Sequence, residues 1–326
     1  FANQSLAVNQ VTHVQQPYFD AKTLLRVKDL PLAIKTLAQG FLHGSHASLQ
    51  RGVGIEFSQF RAYEPGDELS KIDWKLFARS DKYFVREAER ESNVNVWIVL
   101  DCSESMLQQS FASTAQIPEK DSVIGQWNKL NYGRYLAATI SYLAQKQGDS
   151  VGLLALSGKS HQQVAALPGE RHWQKILLSL TQLEASSAMP NTQMILSQLS
   201  TVRKNGLVIV ISDFHQVNKE LLTLTSKLTN RHTDVVAFHL DSNDEINFPY
   251  QGMINFQDLE THEYRQVSAK EVRTSYLKNK QHYDETLKAQ LAQQNIQYFH
   301  ANIDQALDQA LVDFLSVRNS NHGRKT

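Results

Sequence analysis

The sequence contains a single cysteine, Cys102, among its 326 residues. One thiol excludes an intramolecular disulfide and a zinc site built from several thiolates. The sequence also has no apolar run approaching the ~20 residues that a membrane-spanning helix needs, and its first residues show no signal-peptide pattern. These absences fit a reducing compartment. We therefore expect a soluble, cytoplasmic protein without a membrane span.

Net charge is absent as well, because 33 basic residues balance 33 acidic ones. A chain without excess positive charge gives no electrostatic reason to bind nucleic acid or an anionic membrane. Hydrophobic residues make up 41% of the chain and charged residues 20%, a composition typical of a folded core rather than of disorder. The composition therefore favours a globular protein with no nucleic-acid partner.

Apolar runs and amphipathic segments alternate from Val94 onward. Short runs such as residues 96–100 have the length of buried strands, and the segments between them have helical periodicity. This pattern is typical of a parallel sheet covered on both faces. It predicts an α/β fold with an open, doubly wound, mostly parallel sheet. The predicted strands are 94–101, 151–157, 207–213, 234–240 and 297–300, and the predicted helices are 132–147, 171–183, 192–202, 219–230, 279–294 and 303–315.

The sequence pattern divides the chain into four parts. Residues 1–39 predict a loose arm followed by a helix, and residues 40–92 predict a small β-rich module with turns. Residues 93–318 form the α/β domain, with an insertion at 108–130, and residues 319–326 form a tail.

Polar side chains follow two of the predicted central strands. The first strand ends in Asp101-x-Ser103-x-Ser105, the strand at 207–213 ends in Asp213, and Thr192 opens a predicted helix. Ligands of open α/β sheets bind at the carboxyl ends of the strands, and two converging carboxylates repel each other unless a cation lies between them. A hard divalent ion takes oxygen ligands of these types. The spacing therefore predicts a site for Mg²⁺ (or Mn²⁺ or Ca²⁺), completed by a carboxylate from a protein partner.

Two other interpretations remain open for the same residues. An Asp followed by Ser at a strand end is also a common helix cap, which would leave a scaffold without metal. Alternatively, Asp101 serves as a phospho-acceptor or metal ligand in a phosphatase-like hydrolase. A phosphatase of this kind needs a second carboxylate two residues later, where this chain has Ser103. A metal-dependent hydrolase needs a base near the ion, and Glu104 is the adjacent candidate. We therefore expect no enzymatic activity.

The set Asp101, Ser103, Ser105, Thr192 and Asp213 resembles the metal-ion-dependent adhesion site of von Willebrand factor A domains. A longer upstream pattern is similar to the bacterial domain-of-unknown-function-58 family. Members of that family are typically encoded beside MoxR-type AAA+ ATPases, so the resemblance implies such an ATPase, or its client, as the partner. The upstream pattern comprises Gly52–Phe57, Arg61–Asp67, Ile72–Trp74, Ala78–Arg79 and Val85–Glu87.

The chain departs from the family pattern at a few places. Ser70 followed by Lys71 replaces an expected arginine, Glu104 replaces a small residue, and the insertion at 108–130 is longer than usual.

The charged segment from Arg61 to Arg79 allows two roles. In the first, Arg61 and Arg79 pair with Asp67 and Asp73 in an architectural network of ion pairs around Trp74. In the other interpretation, the segment's aromatic residues anchor a docking partner.

Overall fold

The structure is a computed structural model, which describes the chain in segments. The described residues are 31, 34, 35, 38, 60–62, 84–86, 94–110, 127–157, 161–186, 193, 195, 206–216, 220–229, 233–259 and 262–322.

Ten strands and six α-helices have defined bounds in these segments. The strands are β1 (Phe60–Ala62), β2 (Phe84–Arg86), β3 (Asn95–Asp101), β4 (Ser150–Leu156), β5 (His161–Leu167), β6 (Gly206–Ser212), β7 (Thr233–Asp241), β8 (Met253–Gln257), β9 (Tyr264–Ser268) and β10 (Gln297–Asn302). The helices are α1 (Lys129–Lys146), α2 (Glu170–Thr181), α3 (Glu220–Leu228), α4 (Asn243–Asn247), α5 (Ala269–Gln293) and α6 (Leu307–His322).

Six strands form the central sheet in the order β10-β7-β6-β3-β4-β5. Neighbouring strands are parallel except at one edge, where β5 runs antiparallel to β4. Numbered along the chain, this order is 3-2-1-4-5-6, the order of a doubly wound α/β sheet. The fold class expected from the alternating pattern is therefore confirmed.

Side chains that alternate along the central strands pack into two separate cores. Along β3, Ile98 and Leu100 pack against α1, while Trp97 and Val99 face the opposite layer. That second layer includes Leu291 of α5. A strand points successive side chains to opposite faces, so these nearly continuous apolar strands require a helical layer on each side.

Parts of the N-terminal region are also described. β1 and β2 pair as antiparallel strands, with Phe60 opposite Arg86, while the rest of the predicted module at 40–92 lies outside the described residues. Ile34 and Ala38 are helical and buried in the same core as α1. The charged segment around Trp74 falls outside the description, except for the backbone of β1.

The structure contains elements that the sequence pattern does not predict, namely β5, α4 and the pair of β8 and β9, and the largest changes in the bounds of predicted helices are at α5 and α6. α5 begins at Ala269, ten residues before the predicted start at 279, and a hairpin of β8 and β9 precedes it. At the C-terminus, α6 continues to His322, so the first four residues of the predicted tail are helical. No helix among the described residues is both long and apolar enough to span a membrane.

Candidate functional site

The candidate site lies where the winding of the sheet reverses. β3 and β6 are neighbours, with Leu100 opposite Ile211, and the chain leaves their carboxyl ends in opposite directions around the sheet. Asp101 ends β3 and Asp213 follows β6, and both are buried. A crevice of this kind is where doubly wound sheets bind ligands.

The Asp101 carboxylate accepts hydrogen bonds on both oxygens. Its Oδ1 accepts from the backbone N–H of Ser103 at 2.9 Å. Its Oδ2 accepts from Ser212 Oγ at 2.6 Å and from Gln216 Nε2 at 2.8 Å. All these donors are neutral groups, so the Asp101 carboxylate has no cationic hydrogen-bond donor among the described residues.

The two predicted serine ligands lie next to each other. Ser103 Oγ and Ser105 Oγ are 3.0 Å apart. Ser103 precedes a short 3-10 helix, Glu104–Leu107, but its side chain makes no capping hydrogen bond to that helix. The hydroxyl of Ser103 therefore does not cap this helix, as the helix-cap interpretation requires.

Asp213 is paired with a buried lysine at the start of α1. Lys129 Nζ lies 3.3 Å from Asp213 Oδ2 and 2.7 Å from Glu245 Oε1, and it donates to Gln108 Oε1 at 3.0 Å. The Lys129 side chain is fully buried, like that of Asp213. One carboxylate from the loop after β6 and one from the short helix α4 therefore share one ammonium.

Burial and neighbouring charges give the two aspartates opposite properties. Burial raises the pKa of Asp101 above its usual range, and the nearby Asp213 carboxylate raises it further. Burial alone would also raise the pKa of Asp213, but the Lys129 ammonium and His215 hold it below its usual range. Asp213 is therefore the stably ionised member, and Asp101 is the one whose negative charge lacks a counterion within the described part of the chain.

Three further residues were considered in the sequence analysis, namely Thr192, Cys102 and Glu104. Thr192 lies outside the described residues, so its place relative to Asp101 stays a prediction. Burial raises the pKa of the Cys102 thiol, which keeps it protonated and unreactive. Glu104 Oε2 lies 3.7 Å from His262 Nε2, on a part-exposed side chain.

Sequence reasoning missed the polar residues that surround the two aspartates, namely Lys129, Ser212, Gln216 and Glu245. Lys129 carried a usable signal. A cation in the first turn of a helix opposes the helix dipole, so a lysine at that position before a long buried helix indicates a compensating anion nearby.

The strand order, the two helical layers and the polar side chains at the switch point define a doubly wound α/β domain. The chain belongs to the family described as "Protein of unknown function DUF58", whose model matches residues 59–286. Both findings agree with the family resemblance seen in the sequence.

Relatives of the chain occur in other bacteria. An uncharacterized protein of Mycobacterium tuberculosis is 26% identical over 252 residues, covering 76% of this chain and 74% of the relative. The uncharacterized protein YeaD of Bacillus subtilis is 25% identical over 203 residues, covering 62% of this chain and 43% of the relative.

Among solved structures, the chain is similar to BatB from Bacteroides thetaiotaomicron, with 15% identity, a TM-score of 0.39 and coverage of 68% of this chain and 99% of that one. It is also similar to the SpRpn10 VWA domain, with 10% identity, a TM-score of 0.36 and coverage of 67% and 93%. At these scores the likeness carries no argument about ligands or partners.

Proposed function

We propose that this protein is a non-catalytic protein-interaction module that holds a divalent cation at the switch point and binds a carboxylate of its partner through that ion. The ion is Mg²⁺, or Mn²⁺ or Ca²⁺ in its place, and its ligands are Asp101, Ser103, Ser105, Thr192 and Asp213.

The observation that carries this proposal is a charge imbalance at the site. The carboxylates of Asp101, Asp213 and Glu245 are buried, and Lys129 is the ammonium that contacts two of them. When all four groups are ionised, the cluster has two more negative charges than positive ones. Buried charges without compensation are costly, and a divalent cation would balance this pair.

The neighbouring hydroxyls support the same ion. Ser103 and Ser105 place two neutral oxygens 3.0 Å apart beside Asp101. Mg²⁺ prefers oxygen ligands and usually keeps one or more waters. Neutral ligands leave charge on the ion, so an exchangeable position would attract an acidic side chain from another protein.

Family membership supports the choice of partner. The resemblance described above implies a MoxR-type AAA+ ATPase or its client, and the von Willebrand factor A-like fold is typical of protein-interaction modules. The partner is therefore expected to present an aspartate or a glutamate at the binding surface.

A metal-free scaffold is the second candidate, and the Lys129 ion pair favours it. Lys129 already neutralises part of the Asp213 charge at 3.3 Å, and the Asp101 oxygens already accept hydrogen bonds. The cluster therefore folds into a hydrogen-bonded arrangement of its own. Calorimetry separates this candidate from the metal-binding one.

Calorimetric titration with Mg²⁺ and Mn²⁺ tests metal binding. We expect wild type to bind one ion, and Asp101→Asn and Asp213→Asn each to weaken binding at least tenfold, because each removes an anionic ligand. Asp234→Asn is the matched control, since Asp234 is exposed at the amino end of β7. Absence of binding in wild type would establish the metal-free scaffold instead.

Capture of partners from native extract, read by mass spectrometry with and without EDTA, tests the interaction. We expect an AAA+ ATPase to be retained by wild type and lost with EDTA or in Asp101→Asn. Capture that survives excess EDTA would overturn the metal-bridged interaction, even if calorimetry detects the ion.

A further inference from the structure

A second polar cluster lies beside the candidate site, on the neighbouring strands. His239 of β7 lies opposite Ser212 of β6 on one side and His300 of β10 on the other. Asp241 is two residues after His239 and therefore faces the same side of the sheet. His215, in the loop after β6, completes a group of imidazoles around one carboxylate.

Three of these residues offer ligand atoms to a common point. One ring nitrogen of His215, one of His239 and one carboxylate oxygen of Asp241 all lie within 4.8 Å of one another. In a tetrahedral site with Zn–N distances of ~2.0–2.1 Å, ligand atoms are about 3.4 Å apart. The exposed His215 is the residue that is free to move inward and close this gap, because its side chain is only partly buried.

Two buried atoms of the cluster have no hydrogen-bond partner among the residues that the structure describes. They are Nε2 of His239 and Oδ1 of Asp241, and both residues are fully buried. The Nε2 atom lies 3.7 Å from Asp241 Oδ2, which is too long for a hydrogen bond. Leaving buried polar atoms unpaired costs about 1–3 kcal/mol each, so these two atoms indicate a missing ligand.

The other polar atoms of the same side chains are held in place. Nδ1 of His239 is 2.9 Å from the Tyr298 hydroxyl. The other oxygen of Asp241, Oδ2, accepts from Lys280 Nζ and from His300 Nε2, each at 2.8 Å. Partners of this kind orient metal ligands in proteins. They leave Nε2 of His239 and Oδ1 of Asp241 without a hydrogen-bond partner among the described residues.

We propose that His215, His239 and Asp241 form a second metal site, which takes a transition-metal ion of the Zn²⁺ class. Imidazole nitrogens suit zinc, cobalt, nickel and copper, whereas Mg²⁺ and Ca²⁺ prefer oxygens alone. Three protein ligands leave a fourth position open. Solvent reaches the edge of the cluster, since the side chains of His215 and His300 are 34% and 40% exposed.

This site is independent of the proposed function, because its ligands differ from those at the switch point. Calorimetric titration of the chelator-treated full chain with Zn²⁺ tests it, together with visible absorption of the Co²⁺-loaded protein. We expect one tight Zn²⁺ site that millimolar Mg²⁺ does not empty. The Co²⁺ protein should show visible bands whose intensity is typical of four-coordinate cobalt.

The chain has 12 histidines in total, so variants are needed to distinguish this site from weak Zn²⁺ binding by the histidines outside it. We expect His215→Ala, a loop variant that leaves the buried core unchanged, to weaken Zn²⁺ binding at least tenfold. His239→Ala and Asp241→Asn should do the same, with folding checked by circular dichroism. His282→Ala is the matched control, since His282 is exposed on α5.

Asp101→Asn should keep the Zn²⁺ site, which distinguishes failure here from failure of the switch-point site. Absence of a tight Zn²⁺ site in wild type, or unchanged affinity in both His215→Ala and Asp241→Asn, would overturn the proposal.

Discussion

At the scale of single residues, Lys129 dominates the electrostatics of the candidate site. Its ammonium is buried at the start of α1, where the helix dipole disfavours a cation, and it is held there by Asp213 and Glu245. Breaking a buried ion pair by removing one partner is costly, because the other charge stays buried. Lys129 therefore sets how strongly the pocket needs an external cation.

Replacing this lysine tests that dependence. We expect Lys129→Met to lower the free energy of unfolding by ~3–5 kcal/mol in the absence of metal, because two buried carboxylates lose their counterion. Mg²⁺ should then stabilise the variant more than it stabilises wild type. Urea unfolding with and without Mg²⁺ measures both effects.

Lys146→Met is the control for this experiment. Lys146 is exposed in the last turn of the same helix, so its loss should change stability by less than about 1 kcal/mol. Equal stabilisation of wild type and Lys129→Met by Mg²⁺ would show that Lys129 and the ion do not serve the same carboxylates.

The sequence predicts Asp101, Ser103, Ser105 and Asp213 at one edge of the sheet because local spacing and strand order decide where strand ends lie. It does not predict Lys129 or Glu245, since their meeting depends on how three separate loops fold over that edge. Such contacts have no periodic signal in the sequence. Metal binding by this set stays a prediction.

At the scale of elements, the close approach of β3 and β6 depends on a glycine. Gly206 lies opposite Asn95 at the first pair of these strands, and a Cβ atom at Gly206 would overlap the backbone oxygen of Asn95. Backbone atoms of paired strands cannot move aside as a flexible side chain can. The two strands that carry the candidate site are therefore aligned at their far ends by this contact.

We expect Gly206→Ala to lower the free energy of unfolding by at least ~1–3 kcal/mol, the usual cost of overpacking a core. Gly133→Ala is the comparison, because its Cβ would meet side-chain methyl groups rather than backbone, the nearest being Leu100 Cδ1 at 2.9 Å. Alanine also gains roughly 0.5–1 kcal/mol over glycine inside a helix. Urea denaturation of both variants should therefore rank Gly206→Ala as clearly less stable, and an equal ranking would contradict the close approach.

The elements that hydrophobic periodicity locates well are the buried ones. β3, β4 and β6 agree with prediction to within one residue at each end. The predicted helix begins ten residues late, at 279, because α5 is mostly exposed, with only Ala269, Leu287 and Leu291 buried. A helix or hairpin that lies on the surface leaves little apolar pattern to detect.

At the scale of the whole molecule, the two proposed metal sites are connected by one short loop. Asp213 and His215 both follow β6, and the backbone N–H of His215 donates to Asp213 Oδ1 at 3.2 Å. Two divalent cations held by residues two positions apart repel each other in a buried environment. Occupancy at one site should therefore oppose occupancy at the other.

We expect saturating Mg²⁺ to raise the Zn²⁺ dissociation constant, and saturating Zn²⁺ to raise that of Mg²⁺ by the same factor, as linkage requires. Calorimetric titrations in both orders measure the two factors, with KCl added to equalise ionic strength. A factor that keeps growing with Mg²⁺ concentration would instead show two ions competing for a single site.

The presence of Lys129 inside the pocket has a consequence for the order of events during biosynthesis. A newly made chain carries this ammonium with it, so the acidic edge of the sheet can assemble before any ion has been captured. Under the proposed function, loading of the ion would then be a separate, later step, and the amount of loaded protein would follow the supply of metal while the amount of folded protein stays constant.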